Sequence, residues 1–117
     1  MAKVLVVDDS PEIREMLRAA LEHGGHEVED TSNFVCAFRA IETGDYDAVI
    51  VDGHFPMYAE ATPEPLGPEL LRRASPYCRI RILHSADDTL NAAVRGNGIV
   101  VLPKCSSLRE ILKVVEA

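Results

Sequence analysis

Short apolar, β-branched runs alternate along the chain with segments whose apolar positions recur at helical spacing. Val4 to Val7 is a continuous apolar run that stops at Asp8 and Asp9. Such a run is expected of a strand covered on both faces, which is the situation in a parallel sheet. Ser10 then stands as a helix N-cap and Pro11 as a first helical residue, followed by Ile13, Met16, Leu17, Ala20 and Leu21 on one face. Gly24 and Gly25 end that helix. His26 to Thr31 offers only Val28 as a strong strand former, which predicts an edge strand open to water.

The same alternation continues. A helix is predicted over Asn33 to Thr43 from the stripe Phe34, Ala37, Phe38 and Ile41, then a strand over Ala48 to Val51 that ends at Asp52. Gly53 to Gly67 contains Pro56, Pro63 and Pro65, and that density of breakers predicts a long loop with little regular structure. A short helix resumes at Pro68 with Leu70, Leu71 and Ala74 inward. Ile80 to Leu83 leads as a strand into His84, Ser85 and Ala86, and Leu90, Ala93 and Val94 mark a brief helix. Ile99 to Leu102 is a last strand before Pro103 and Lys104, and Leu108, Ile111, Leu112 and Val115 stripe a last helix.

Strict βα alternation predicts one α/β domain over residues 1–117 with a three-layer, doubly wound (flavodoxin-like) fold. Its five-stranded parallel sheet carries five helices, and the order taken for it is 2-1-3-4-5, one of the common doubly wound arrangements. In such folds ligands bind beyond the C-terminal ends of the strands. Asp8 and Asp9 follow the first strand, Asp52 the third, Ser85 the fourth and Lys104 the fifth. With strands one and three adjacent, the three acids share a pocket. Their mutual repulsion calls for a cation, and an all-oxygen donor set suits Mg²⁺.

Composition narrows the setting. A hydrophobic fraction of 47% with 26% charged residues is that of a soluble globular domain, and no apolar run approaches the roughly 20 residues that span a bilayer. The N-terminus lacks the pattern of a signal peptide, so a cytoplasmic setting is expected, without membrane association. Cys36, Cys78 and Cys105 lie far apart and read as reduced thiols rather than a disulfide framework or a zinc site. The net charge of −7, from 12 basic and 19 acidic residues, argues against direct binding to nucleic acid.

The segments VLVVDDSPEIREML and VIVDGHFP, the HSA after the fourth strand and the LPK near the C-terminus together resemble the receiver domain of two-component response regulators, the CheY-like family. The resemblance covers essentially the whole chain. It implies Asp52 as phosphoacceptor, Asp9 as direct and Asp8 as water-mediated Mg²⁺ ligand, and a backbone carbonyl for the metal at His54. It further implies Ser85 as switch hydroxyl and Lys104 as the base that senses phosphate. Implied partners are a histidine kinase or phosphotransfer protein and a downstream protein target, with phosphorylation-dependent homodimerisation among the arrangements it allows. Such a protein is a phosphoacceptor that takes part in its own phosphorylation and dephosphorylation rather than an enzyme.

Departures from the family pattern bear on output. Ala59 to Pro65 reads as an insertion beside the site, and the fourth helix has lost about one turn. Val101 stands where many relatives carry Tyr or Phe, and Cys105 where Pro commonly follows the Lys. His54 and Asp87 occupy the positions that flank the phosphoryl group in the family. Two rival readings stand beside the switch: a degenerate receiver that binds partners without phosphorylation, and a phosphohydrolase using Asp52. Against the latter, His54 stands where such enzymes commonly need a second acid. Ser85 reads equally well as the cap of the helix that follows it.

Overall fold

The structure is a computed structural model that describes residues 1–117. Five strands form the main sheet: β1 (Lys3–Val7), β2 (Glu27–Thr31), β3 (Ala48–Asp52), β6 (Ile80–Ser85) and β7 (Val100–Pro103). All pair in parallel in the order β2-β1-β3-β6-β7, which is the predicted 2-1-3-4-5 arrangement. The connections carry α1 (Pro11–His23), α2 (Phe34–Thr43), α3 (Gly67–Arg73), α4 (Asp88–Val94) and α5 (Leu108–Val115).

Side chains on a strand point alternately to opposite faces, so each central strand supplies both cores of a three-layer molecule. Val4, Val6, Ala48, Ile50 and Ile82 face α1 and α5, where they meet Leu17, Leu21, Ile111 and Val115. Leu5, Val7, Val49, Val51 and Leu83 face the other way and pack on Phe34, Ile41, Leu70, Leu71 and Val94. On the edge strand β2 only Val28 is buried, in keeping with its polar sequence.

The helix starts follow the expected chemistry, with one correction. Ser10 accepts the Ile13 amide at 3.3 Å, Asn33 accepts that of Cys36 at 3.0 Å, and Ser107 and Glu110 form a capping box. The cap of α4 is Asp87 and not Ser85: its Oδ1 accepts the amides of Thr89 and Leu90. Ser85 lies two residues too early because β6 runs through it to its end. The segment after β3 also differs from the expected irregular loop. β4 (Phe55–Pro56) and β5 (Pro63–Glu64) pair antiparallel as a short hairpin, joined to α2 by the Val35 amide donating to the Met57 carbonyl.

At the N-terminal end of the sheet one imidazole joins three segments. The Ala2 amide donates to His26 Nδ1 at 2.9 Å, so the ring proton sits on Nε2, which donates to Glu116 at 3.0 Å. No helix is long and apolar enough to cross a membrane.

Candidate functional site

The strand register itself assembles the acidic pocket. β1 and β3 pair Val6 with Ile50 and Val7 with Val51, so the next step along both strands sets Asp8 beside Asp52. Asp8 shares the parity of Val4 and Val6, and Asp52 that of Ala48 and Ile50, which directs both carboxylates to the α1/α5 face. β3 pairs Asp52 with His84, and β7 ends one residue before Lys104, which enters from the far side of β6. The pocket therefore opens at the C-terminal end of the sheet, between β1 and β3, where the chain's winding direction reverses.

Its charges are closely coupled. Lys104 Nζ lies 2.9 Å from Asp8 Oδ2 and 3.5 Å from Asp52 Oδ1, with Asp8 almost wholly buried. Burial opposes the Lys104 charge, but the hydrogen bond and attraction to Asp8, with Asp52 behind it, hold the ammonium above its ordinary value. The second Asp8 oxygen accepts the Ser10 amide at 2.9 Å, and the Asp8 carbonyl accepts Arg14 at 2.7 Å. Burial, then repulsion from Asp8, pushes the Asp52 carboxyl up to about 6 against the pull of Lys104 and the Gly53 amide. One lysine thus leaves the three acids under-compensated.

Carboxylate oxygens of Asp8, Asp9 and Asp52 all lie within 4.8 Å of one another. Asp9 is exposed, so the cluster is open to water on one side. Hard oxygen donors around a solvent-accessible gap fit a divalent ion that keeps part of its hydration shell, and three carboxylates facing one lysine leave charge balance with room for one. Asp8, Asp9, Asp52 and a carbonyl near His54 are the groups that could hold it.

Ser85 is buried at the end of β6 against Gly53, where a Cβ would run into its hydroxyl oxygen. That oxygen accepts the Asp87 amide at 3.0 Å, and the Lys104 amide donates to the Ser85 carbonyl. Ser85 and Lys104 are therefore joined through the backbone. The His54 ring turns outward to Asp87, with Nε2 2.8 Å from its Oδ2. Burial, then the Lys104 charge, lowers His84 to about 4, and its Nδ1 is buried without a partner. The Arg14 bond to the pocket backbone and the unpaired His84 nitrogen were not expected from the sequence, because each depends on a neighbour distant along the chain.

A family model described as the response regulator receiver domain matches residues 4–116. The chain belongs to that family. Receiver domains serve two-component signal transduction as phosphoacceptor domains rather than as enzymes in the ordinary sense, and histidine kinases phosphorylate them. The receiver domain described here is 36% identical over 98% of its length to the DNA-binding transcriptional regulator NtrC of Azospirillum brasilense, spanning 24% of that protein. It is 33% identical over 96% of its length to a response regulator receiver protein of Anaeromyxobacter sp. strain Fw109-5, spanning 46% of it. The chain thus spans less than half the length of either relative. Its fold is also that of the receiver domain of the sensor histidine kinase PA1611 from Pseudomonas aeruginosa PAO1. The TM-score is 0.74 at 19% identity, covering 98% of this chain and 94% of that one, and that structure has a magnesium ion coordinated in its active-site cleft.

Proposed function

We propose that this receiver domain accepts a phosphoryl group on Asp52 from a histidine kinase or phosphotransfer protein and acts as a switch between two conformations for a protein partner. The observation that carries this reading is the Lys104 amine set between Asp8 and Asp52, in a pocket whose third acid, Asp9, stays open to solvent. Mg²⁺ is the ion proposed for Asp8, Asp9, Asp52 and the His54 carbonyl. When bound, it would neutralise charge on the incoming phosphoryl oxygens.

The residues of the chain divide the remaining work. An ionised Asp52 oxygen forms the new bond to phosphorus while the bond from phosphorus to the donor's imidazole nitrogen breaks, the electron pair leaving with the imidazole. The Lys104 ammonium, already aimed at Asp52, is positioned to pair with a phosphoryl oxygen. The Ser85 hydroxyl accepts the Asp87 amide and keeps its own proton free to donate to another. Movement of Ser85 toward the phosphoryl group would pull on Asp87, hence on the cap of α4 and on the His54 contact. That route to output needs no aromatic ring at Val101.

Intact mass after exposure to acetyl phosphate and Mg²⁺ tests the proposal. A single added phosphoryl group, absent from Asp52→Asn, is the expected result. No adduct from any small phosphodonor would favour the module that binds partners without phosphorylation, a reading supported by Val101 and the short α4.

A further inference from the structure

We infer that the cleft between α3 and the α4–β7 connection is a second anion site, one that takes a small phosphomonoester. The cleft has a volume of about 370 Å³ and lies on the face of the sheet opposite the side to which Asp8 and Asp52 point. Its polar walls are Arg72, Ser75, Arg81 and Asn97, and its apolar floor includes Val94 and Ile99.

The charge here runs against the rest of the molecule. Arg72 and Arg73 both bond to the single carboxylate of Glu69, at 2.5 Å and 2.6 Å. Arg81 pairs with no carboxylate at all: its guanidinium donates to the carbonyls of Leu71 at 3.0 Å and Asn97 at 3.2 Å. Arg73 lies over the Phe34 and Phe38 rings, outside the cleft, so the cleft holds two guanidinium groups, Arg72 paired with Glu69 and Arg81 uncompensated, on a chain of net charge −7.

Arg81 is also held rigidly. Its two carbonyl partners sit on opposite walls of the cleft, and Gly98 packs so closely that a Cβ there would lie 2.9 Å from Arg81 Nη2. A guanidinium has five donors, and only two of those on Arg81 are used within the chain. The Ser75 hydroxyl on the same wall adds a donor. The free donors of Arg81, with those of Arg72 and Ser75 beside them, offer more hydrogen bonds than the two oxygens of a carboxylate can use and match the three terminal oxygens of a phosphomonoester. The apolar floor would take a short organic body, and the volume suits a small ligand.

The experiment is an amide-resolved NMR titration of the whole chain with phenyl phosphate, without divalent metal and at ionic strength fixed with chloride. In that state the acidic pocket repels anions, so the result does not depend on phosphorylation of Asp52. Saturable shifts at Ser75, Arg81 and Asn97 are expected, with weaker binding of benzoate. Arg72→Gln, an exposed change that leaves the fold intact, should weaken phenyl phosphate about tenfold or more. Arg81→Lys, which keeps the charge but loses the fork, should weaken it as well. Absence of saturable shifts, shifts indifferent to Arg72→Gln, or shifts centred on Gly53 and Ser85 instead would each overturn the assignment.

Discussion

Asp52 and His84 are neighbours across β3 and β6, and the same burial displaces them in opposite senses. Asp52, ordinarily near 3.8, is pushed up to about 6, so the folded state holds its proton more tightly than the unfolded chain. Its share of stability is present below 3.8 and is lost as pH rises through 6. His84, ordinarily near 6.5, falls to about 4, so its share is present above 6.5 and is lost as pH falls through 4. Between about 4 and 6 the two offset each other. Without divalent metal, Asp52→Asn should raise the melting temperature at neutral pH, the gain being at most about 3 kcal/mol. It should also steepen the loss of stability on acidification, because His84 then titrates unopposed. A melting series from pH 4 to 7 checks both, and a variant no more stable than the parent at neutral pH would contradict the first. The missing partner of the buried His84 was not legible in the sequence, since it depends on what β3 and β7 bring alongside.

At the scale of elements, helices and buried strands were legible because burial imposes periodicity on the sequence. The hairpin of β4 and β5 was not. Strands of two residues carry no period, and Pro56 and Pro63, read as breakers, are tolerated where the pairing is short and marginal. α4 spans seven residues, too few to persist without its cap and its packing. Asp87→Ala removes both cap bonds and the His54 contact, and should loosen α4 and lower the melting temperature slightly. Hydrogen exchange should accelerate at Thr89, Leu90 and Asn91 while α5 stays unchanged. Uniform acceleration over the molecule, or none at α4, would show that the cap does not hold that helix.

For the whole molecule, residues 8, 52 and 104 become a site only through strand order. The alternation of elements implied a doubly wound sheet but left its order to be assumed, and the register completes the site by carrying Asp8 and Asp52 to adjacent positions on one face. What remained illegible were contacts set by side-chain direction, such as His54 turning outward to Asp87. Mg²⁺ should stabilise the fold by mass action, by about 1.4 kcal/mol at ten times its dissociation constant. Thermal melting with and without millimolar Mg²⁺ should therefore differ by several degrees, and the difference should vanish in Asp9→Ala. A parent protein whose melting ignores Mg²⁺ would remove the ion from the proposal.

The His26 bridge has a consequence for chain connectivity. By bonding to Ala2 and Glu116 together, it leaves the two chain ends side by side, at the pole opposite the acidic pocket. The polypeptide is nearly a closed ring. A circular permutant with a short flexible linker from Ala117 to Met1, reopened at the exposed tip between β4 and β5, should keep the same sheet and the same circular dichroism spectrum. In that permuted chain, a reporter fused to the new ends would sit beside Tyr58, at the end of the molecule where β3 finishes instead of across the molecule from it.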